Sequence, residues 1–228
     1  MPTDNKNINI ASMIDHTLLK PDATKEQLKK LCVEAMKYEF ATCCVNSANI
    51  PFCAEQLQNS NVKPIAVIGF PLGAASTQTK VFEAKEAIKH GAQEIDMVIN
   101  IGNLKSKDYQ AAYNDIKAVV EASSPLKVKV ILETGNLTED EKIISCTLSK
   151  TAGAAFVKTS TGFGKGGATI EDISLMRRIV GDNMEVKASG GIRTREDALK
   201  MIDAGANRIG ASASIEIVTG KKTNKKGY

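Results

Sequence analysis

Two lysines lie where the chain could carry out covalent chemistry on a carbonyl carbon. Lys158 ends the apolar run Ala154-Ala155-Phe156-Val157, and a loop with four glycines follows between residues 162 and 167. Burial disfavours the charged form of an amine, and the neutral amine is a nucleophile. Lys187 has a similar place, between Glu185-Val186 and a glycine pair, and a second cation nearby would lower the pKa of Lys158 further. We interpret this pair as the reactive centre of a Schiff-base enzyme.

Eight short apolar segments, each leading into a helical pattern, could position these lysines. Their starts recur about every 30 residues, which is the length of one βα unit. The predicted strands are Met13–Thr17, Ala41–Val45, Pro64–Gly69, Glu94–Ile99, Val128–Glu133, Ala154–Lys158, Glu185–Ala188 and Arg208–Ala211. The alternation predicts an α/β fold, a single-domain (β/α)8 TIM barrel over residues 1–220 with a short N-terminal helix. An open doubly wound sheet is the alternative, because the pattern alone does not show closure.

Residues typical of helix starts and helix ends support the count of eight βα units. Capping-box spacing predicts helix starts, and a glycine before the next strand predicts helix ends. The starts are Thr24 with Gln27, Thr138 with Glu141, Thr169 with Asp172 and Thr194 with Asp197, and the ends are Gly91, Gly153 and Gly205. The basic C-terminal segment 221–228 resembles a linker, and we expect it to be flexible.

Composition narrows the classes of function. The chain has 228 residues, 43% of them hydrophobic but only 4% aromatic, which suits an aliphatic core around parallel strands. Four of the 30 basic residues lie in the last eight positions, and the other 26 match the 26 acidic residues, so no nucleic-acid-binding face is expected. The five cysteines lack metal-site spacing and indicate free thiols in a reducing, cytoplasmic compartment. No apolar run approaches the ~18 residues of a membrane span.

Catalytic groups of such barrels lie at the carboxyl ends of strands. Alternation places Asp96 in the barrel interior, because Ile95 and Met97 suit the helix-facing side. Neighbouring strands lie ~4.8 Å apart, so Lys158 and Lys187 would be close, and Asp96 could reach them across the barrel. The same positions also contain Asp15, His16, Cys44 and Glu133. We interpret Cys44 as a small buried side chain and leave Glu133 outside the site.

An anion site is expected where the loops after the seventh and eighth strands meet. Ser189-Gly190-Gly191 and Gly210-Ala211-Ser212 lie in those loops, which commonly hold phosphate in this fold. Glycine lets backbone amides approach an anion closely, and the hydroxyl of Ser212 can donate a hydrogen bond. The sequence therefore predicts binding of a phosphorylated small molecule.

At these residues the sequence resembles deoxyribose-phosphate aldolase, a class I aldolase family. The matching motifs run in the family's order from about residue 12 to 218: Ile14-Asp15-His16-Thr17-Leu18-Leu19, Val67–Gly73, Glu94–Asn100, Phe156–Phe163, Val186–Arg193 and Arg208–Ser212. The resemblance implies reversible cleavage of 2-deoxy-D-ribose 5-phosphate to acetaldehyde and D-glyceraldehyde 3-phosphate, without metal or organic cofactor. It also implies a homodimer.

The same resemblance assigns roles to individual residues. The Schiff-base lysine falls on Lys158, the second active-site lysine on Lys187 and the catalytic aspartate on Asp96. Asp15, Thr161 and Gly162 match substrate-binding positions around the site. Two features of this chain differ or align loosely: Phe163 stands where some members have a lysine, for which Lys165 could substitute, and Tyr228 ends the chain.

Three other functions are compatible with the residues. One is another class I aldolase or a transaldolase that acts on a sugar phosphate. The second is a phosphosugar isomerase that uses an acid–base pair without covalent chemistry. The third is a non-catalytic phosphate-binding barrel in which both lysines neutralise the ligand. A donor screen with acetaldehyde and dihydroxyacetone phosphate distinguishes the other aldolases. Borohydride trapping distinguishes the isomerase, since only an imine is reduced to a stable adduct, and binding without turnover would support the non-catalytic barrel.

Overall fold

The computed structural model describes residues 8–221, which form a closed barrel of eight parallel strands in chain order. The barrel closes where β8 pairs with β1, so the TIM-barrel prediction is confirmed and the open doubly wound sheet is wrong. Predicted strand ends differ from the observed ones by at most two residues. The strands are β1 Ile14–Leu18, β2 Thr42–Asn46, β3 Lys63–Ile68, β4 Glu94–Val98, β5 Lys127–Ile131, β6 Phe156–Lys158, β7 Glu185–Ser189 and β8 Arg208–Ala211.

Helices surround the barrel, and their starts follow the predicted caps. The Thr24 side chain accepts from the backbone N–H of Gln27, and the Gln27 side chain accepts from the backbone N–H of Thr24. Reciprocal boxes also form at Thr138 and Thr194, and a 3₁₀ turn at Ala11–Met13 is the predicted N-terminal helix. The helices are α1 Lys25–Tyr38, α2 Ile50–Gln56, α3 Thr77–Lys89, α4 Ile101–Lys105, α5 Tyr109–Ser123, α6 Glu139–Thr151, α7 Ile170–Val180, α8 Arg195–Asp203 and α9 Ser214–Thr219.

The apolar core lies between the outer face of the barrel and the helices. In β4, Ile95 and Met97 belong to this core, whereas Glu94 and Asp96 alternate with them and are buried inside the barrel. The same period of two gives every strand one apolar outer face and one inner face that is free for other chemistry. The outer layer stabilises the barrel, and the inner faces position the polar groups.

The barrel interior is divided into an apolar side and a charged side. Leu19, Cys44, Ile65 and Val67 form a small apolar cluster near β2 and β3, with Phe70 packed against it. Buried lysines and carboxylates, the partly buried Arg208 and the Phe156 ring occupy the other side of the interior. Charged side chains are therefore concentrated on β4 to β8 and β1.

One buried ion pair lies outside the barrel, between α3 and α5. Lys80 Nζ donates to Asp115 Oδ2 at 2.6 Å and to the carbonyl oxygen of Val98 at 2.9 Å. Thr77 Oγ1 donates to the other carboxylate oxygen of Asp115 at 2.9 Å. Lys80 is fully buried, so its charge depends on this single carboxylate.

Two expectations concern membranes and the tail. Among residues 8–221, no helix combines the length and the apolar character needed to cross a bilayer. The predicted flexible tail 221–228, including Tyr228, lies outside the described residues except for Lys221.

Replacing Asp115 by asparagine should destabilise the fold strongly. The substitution leaves the ammonium of Lys80 buried without a counter-charge, and loss of one partner of a buried pair costs about 3–5 kcal/mol of unfolding free energy. Urea denaturation of the purified variant measures this loss. The control Thr77→Val keeps the ion pair and removes one hydrogen bond to the carboxylate, which should cost less, about 1.5–3 kcal/mol. An Asp115→Asn variant as stable as the wild type would show that the fold does not depend on this ion pair.

Candidate active site

Asp96 is the group on which the interior side chains converge. Its Oδ2 accepts from Lys158 Nζ at 2.9 Å and from Lys187 Nζ at 2.7 Å, and its Oδ1 accepts from Lys129 Nζ at 3.0 Å. Asp96 and Lys187 have no exposed surface, and Lys158 is 3% exposed. The three predicted catalytic residues thus meet at one buried carboxylate.

Strand register explains why these side chains meet. Lys158 of β6 pairs with Lys187 of β7, and Asp96 of β4 pairs with Lys129 of β5. Residues paired across neighbouring parallel strands point to the same face, so each pair enters the barrel at one level. Barrel closure then brings β4 opposite β6 and β7, and the carboxylate spans the interior to both amines.

A second set of charges supports this cluster. Asp15 accepts from Thr42 Oγ1 at 2.8 Å and from Arg208 Nη1 at 2.7 Å, and it forms an ion pair with Lys187. Lys129 donates to Glu94 as well as to Asp96. Asp15, Lys129 and Lys187 have no exposed surface, so these pairs are screened little by water.

The surroundings shift the pKa values of the two active-site lysines in opposite directions. Burial lowers the pKa of Lys158, and although Asp96 opposes this shift, the cation of Lys187 adds to it. Burial also lowers the pKa of Lys187, but the carboxylates of Asp15 and Asp96 outweigh it and raise the pKa above the usual lysine value. Lys158 is therefore the amine that can be neutral, and Lys187 stays an ammonium ion.

The carboxylates remain ionised for the complementary reason. Burial by itself raises the pKa of Asp96, but the three lysine side chains around it lower the pKa well below the usual range. The pKa of Asp15 is lowered in the same way, by Lys187, Lys129 and Arg208 against burial. A nucleophilic amine and a fixed cation, each within 3 Å of one ionised carboxylate, can form an imine and move protons at it.

The mouth of the barrel is shaped by the glycine loop after β6. Glu133 accepts from the backbone N–H of Thr161 at 3.2 Å and from the Thr161 hydroxyl, and the Thr161 hydroxyl accepts from the N–H of Phe163 at 3.0 Å. Gly162 and Phe163 lie exposed, and the Phe163 ring meets the Phe70 ring edge-on at 5.5 Å. The predicted substrate-binding residues Thr161 and Gly162 are thus on a loop that Glu133 holds in place.

Glu133 is a site residue that sequence reasoning missed. It is 3% exposed and has a left-handed backbone conformation with φ of 57°, two residues after the end of β5. Its second carboxylate oxygen has no hydrogen-bond partner among the described residues. An acid between an apolar strand and a glycine was the available signal, but its contact with Thr161 depends on the pairing of β5 with β6.

The two loops predicted to hold phosphate lie side by side. The carbonyl of Gly190 accepts from the N–H of Ala168 at 3.0 Å, which joins the loop after β7 to the end of the glycine loop. Gly190 and Gly191 have positive φ, a backbone conformation that side chains rarely adopt. Ser212 lies exposed just beyond β8. Gly190, Gly191 and Ser212 are therefore on neighbouring loops at the carboxyl ends of β7 and β8.

The placement of Gly210 differs from the prediction. Gly210 is buried within β8, where it pairs with Asp15 and Ser189, so its backbone is in the barrel wall. A Cβ at this position would lie 2.9 Å from Lys187 Cε and would collide with Ser189 Oγ. Gly210 makes room for Lys187, and its contact with a phosphate stays a prediction.

Asp15, whose contact with substrate stays a prediction, lies within the network of buried charges. Its carboxylate has no exposed surface and is bound by Lys187, Arg208 and Thr42. This placement favours a role in fixing Lys187. Cys44 is fully buried in the apolar part of the interior, as its interpretation as a small buried side chain required. Lys165 lies exposed on the glycine loop, and its side chain forms no ion pair with the described residues.

A closed (β/α)8 barrel with a nucleophilic lysine, a second lysine and a carboxylate inside defines the class of the aldolases. The chain belongs to the DeoC/LacD family of aldolases, whose family model matches residues 9–226. The enzyme is therefore a carbon–carbon lyase.

Individual relatives are similar over nearly their whole length. The deoxyribose-phosphate aldolase of Caldanaerobacter subterraneus subsp. tengcongensis is 58% identical over 92% of this chain and 93% of the relative. That of Clostridium novyi is 56% identical over 97% of this chain and 100% of the relative. The solved structure of the tetrameric deoxyribose phosphate aldolase from Aeropyrum pernix superposes with a TM-score of 0.86 at 35% identity, over 92% of this chain and 89% of that one.

Replacing Lys187 by methionine should move the pH–rate profile. Lys158 reacts only when neutral, so activity falls below its pKa, and the lost cation raises that pKa. The acidic limb should shift to higher pH, and the maximal rate should fall by ~10²–10⁴-fold because a proton donor is lost. The measurement is the rate of aldol cleavage against pH.

The matched control is Lys127→Met. Lys127 lies at the start of β5, half-exposed, and pairs with Glu185 at the start of β7, away from Asp96. Its loss should leave the limb in place. A Lys187→Met enzyme with normal turnover and an unmoved limb would show that Lys187 only fills space.

Proposed function

We propose that the chain reversibly cleaves 2-deoxy-D-ribose 5-phosphate to D-glyceraldehyde 3-phosphate and acetaldehyde, through a Schiff base on Lys158. The observation that carries the proposal is the contrast between the two lysines at Asp96. Lys158 is shifted toward its neutral form while Lys187, bound to the same carboxylate oxygen, is shifted toward its charged form. The names of the relatives support the choice of substrate.

The reaction begins with attack of neutral Lys158 Nζ on the C1 aldehyde of the open-chain sugar. Loss of water gives an iminium ion, which draws electrons from C2. A base removes the proton of the C3 hydroxyl, and its electrons form the new carbonyl as the C2–C3 bond breaks. D-glyceraldehyde 3-phosphate leaves, and the enamine that remains is protonated at C2 and hydrolysed to acetaldehyde and free Lys158.

Asp96 and Lys187 move the protons in this sequence. Asp96 is ionised and can accept a proton, while Lys187 is protonated and can donate one, directly or through a water molecule. Arg208 binds Asp15, and Asp15 in turn pairs with Lys187, whose ammonium group lies 2.7 Å from Asp96. Positioned proton transfer of this kind contributes ~10²–10⁴-fold to the rate.

The phosphate end of the sugar binds where the loops after β7 and β8 meet. The backbone amides of Gly190 and Gly191 and the hydroxyl of Ser212 bind the dianion, and Thr161 and Gly162 line the approach. What supports this placement is the exposure of Ser212 at the end of β8, beside the strand that ends in the glycine pair. Binding energy from this remote group holds the reacting carbons in register.

The proposal also covers the cellular compartment and the oligomeric state of the enzyme. The chain acts in the cytoplasm, in the breakdown of deoxyribose from deoxyribonucleotides, and it forms a homodimer. Five free cysteines, all buried, suit a reducing compartment. Light scattering of the purified chain measures the oligomeric state, for which the tetramer of the Aeropyrum pernix protein is the alternative.

Borohydride reduction in the presence of acetaldehyde tests the covalent step. Mass spectrometry should find one added ethyl group, located on Lys158, because only an imine is reduced to a stable adduct. Lys158→Arg keeps the charge but stays protonated, so it should form no adduct and lose aldol cleavage. An adduct on another lysine, or near-normal cleavage by Lys158→Arg, would contradict the assignment. Dihydroxyacetone phosphate as an alternative donor distinguishes other class I aldolases.

Ser212→Asp should reduce the preference for the phosphorylated sugar. The new carboxylate repels the 5-phosphate dianion but has no such effect on free deoxyribose. The measurement is the ratio of kcat/KM for deoxyribose 5-phosphate to kcat/KM for deoxyribose, in the variant and in the wild type. Ser212→Asn, which keeps a donor without adding charge, is the matched control. An unchanged ratio in Ser212→Asp would place the phosphate elsewhere, with the Lys165 loop as the next candidate.

A further inference from the structure

A buried polar relay connects α1, β1 and α9 on the helix-facing side of the barrel. His16 Nε2 lies 3.1 Å from Glu34 Oε2, and His16 Nδ1 lies 2.9 Å from Ser214 Oγ. His16 is 2% exposed, Ser214 is fully buried, and the Phe40 ring packs against the imidazole at 5.1 Å. None of these side chains touches the charges around Asp96, so the aldol chemistry leaves the relay unexplained.

The direction of the hydrogen bond is fixed at the Glu34 end of the relay. At the Ser214 end, one hydroxyl lies between two possible partners. A carboxylate only accepts, so His16 Nε2 donates to Glu34, which Lys30 also approaches at 3.8 Å. The Ser214 hydroxyl lies 2.9 Å from both His16 Nδ1 and the carbonyl oxygen of Ala211. Ser214 therefore joins the imidazole to the end of β8.

The relay clamps a very short turn. Ala211 is the last residue of β8 and is the register partner of His16, and Ser214 is the first residue of α9. Only Ser212 and Ala213 lie between these two points. Because His16 and Ser214 hold both ends of this turn, they also determine the direction of the exposed Ser212 side chain. Neither His16 nor Ser214 lies at the barrel mouth.

We propose that His16 is a positioning residue for the phosphate end of the substrate, acting through Ser214 on the turn that carries Ser212. The proposal rests on the proposed function, in which Ser212 donates to the 5-phosphate. His16 then contributes to the preference of the enzyme for phosphorylated over free sugars, while the imine chemistry at Lys158 does not depend on it.

Two amide substitutions separate the two ends of the imidazole. In His16→Asn the amide nitrogen takes the place of Nδ1 and can still donate to Ser214, but the contact with Glu34 is lost. In His16→Gln the amide nitrogen takes the place of Nε2 and can still donate to Glu34, but the contact with Ser214 is lost. Both variants remove the ring and leave a similar cavity, so a merely structural role would affect them alike.

The readout is the ratio of kcat/KM for deoxyribose 5-phosphate to kcat/KM for deoxyribose. His16→Gln and Ser214→Ala should lower the ratio about tenfold, through KM for the phosphorylated sugar, which corresponds to loss of one hydrogen bond to a charged group. His16→Asn should keep the ratio within about twofold of the wild type. Because both sugars are tested on the same folded sample, a loss of stability does not change the ratio.

Equal ratios in His16→Asn and His16→Gln would overturn the proposal, whether both are normal or both are reduced. If His16→Gln does not fold, a normal ratio in Ser214→Ala overturns it as well. Failure of the proposed function would give a different result, because Ser212→Asp would then have the same ratio as the wild-type enzyme. A reduced ratio in Ser212→Asp together with normal ratios in the His16 and Ser214 variants rejects the relay alone.

Discussion

The carboxylate of Asp96 accepts hydrogen bonds from three lysines, and the cluster around it contains more basic groups than carboxylates. The reactivity of the site follows from that excess of positive charge. Among the described residues, the interior cluster contains three carboxylates, Asp15, Glu94 and Asp96, and four basic groups, Lys129, Lys158, Lys187 and Arg208. An unpaired charge in a dry interior is costly, so the cluster is most stable when one base gives up its proton.

The base that gives up its proton is the one with the fewest partners. Within the described chain, Lys158 has one carboxylate within 4 Å, Asp96. Lys187 has Asp15 and Asp96, Lys129 has these two and Glu94, and Arg208 has Asp15 and Glu94. Charge balance thus selects Lys158 as the neutral amine, and the closed barrel is what keeps all the other pairs together and away from water.

Sequence reasoning predicts most of the fold and the centre of the site because both depend on local periodicity. Alternation in β4 places Asp96 inside the barrel, and the matching contexts of Lys158 and Lys187 place them side by side. The same alternation in Lys127-Val128-Lys129 could have found Lys129, since Val128 faces the helices. Without Lys129, the basic groups and the carboxylates of the interior are not seen to differ in number.

Other assignments depend on closure and backbone conformation, which periodicity does not contain. The sequence predicted a substrate contact for Asp15 but not its pairing with Lys187 and Arg208, which follows from the pairing of β1 with β8. It predicted a phosphate contact for Gly210 but not that a glycine is needed there to make room for Lys187. Glu133 reaches Thr161 from a left-handed backbone conformation that no sequence pattern predicted.

An NMR titration of the lysine side chains measures the charge balance directly. In protein labelled with ¹³C-lysine and assigned through Lys158→Arg and Lys187→Arg, the Cε resonance of Lys158 should titrate below the ordinary lysine value of ~10.4. The resonance of Lys187 should show no titration up to that pH, because Asp15 and Asp96 hold its pKa above the usual value. A Lys158 that titrates at or above the ordinary value while Lys187 loses its proton first would contradict the account.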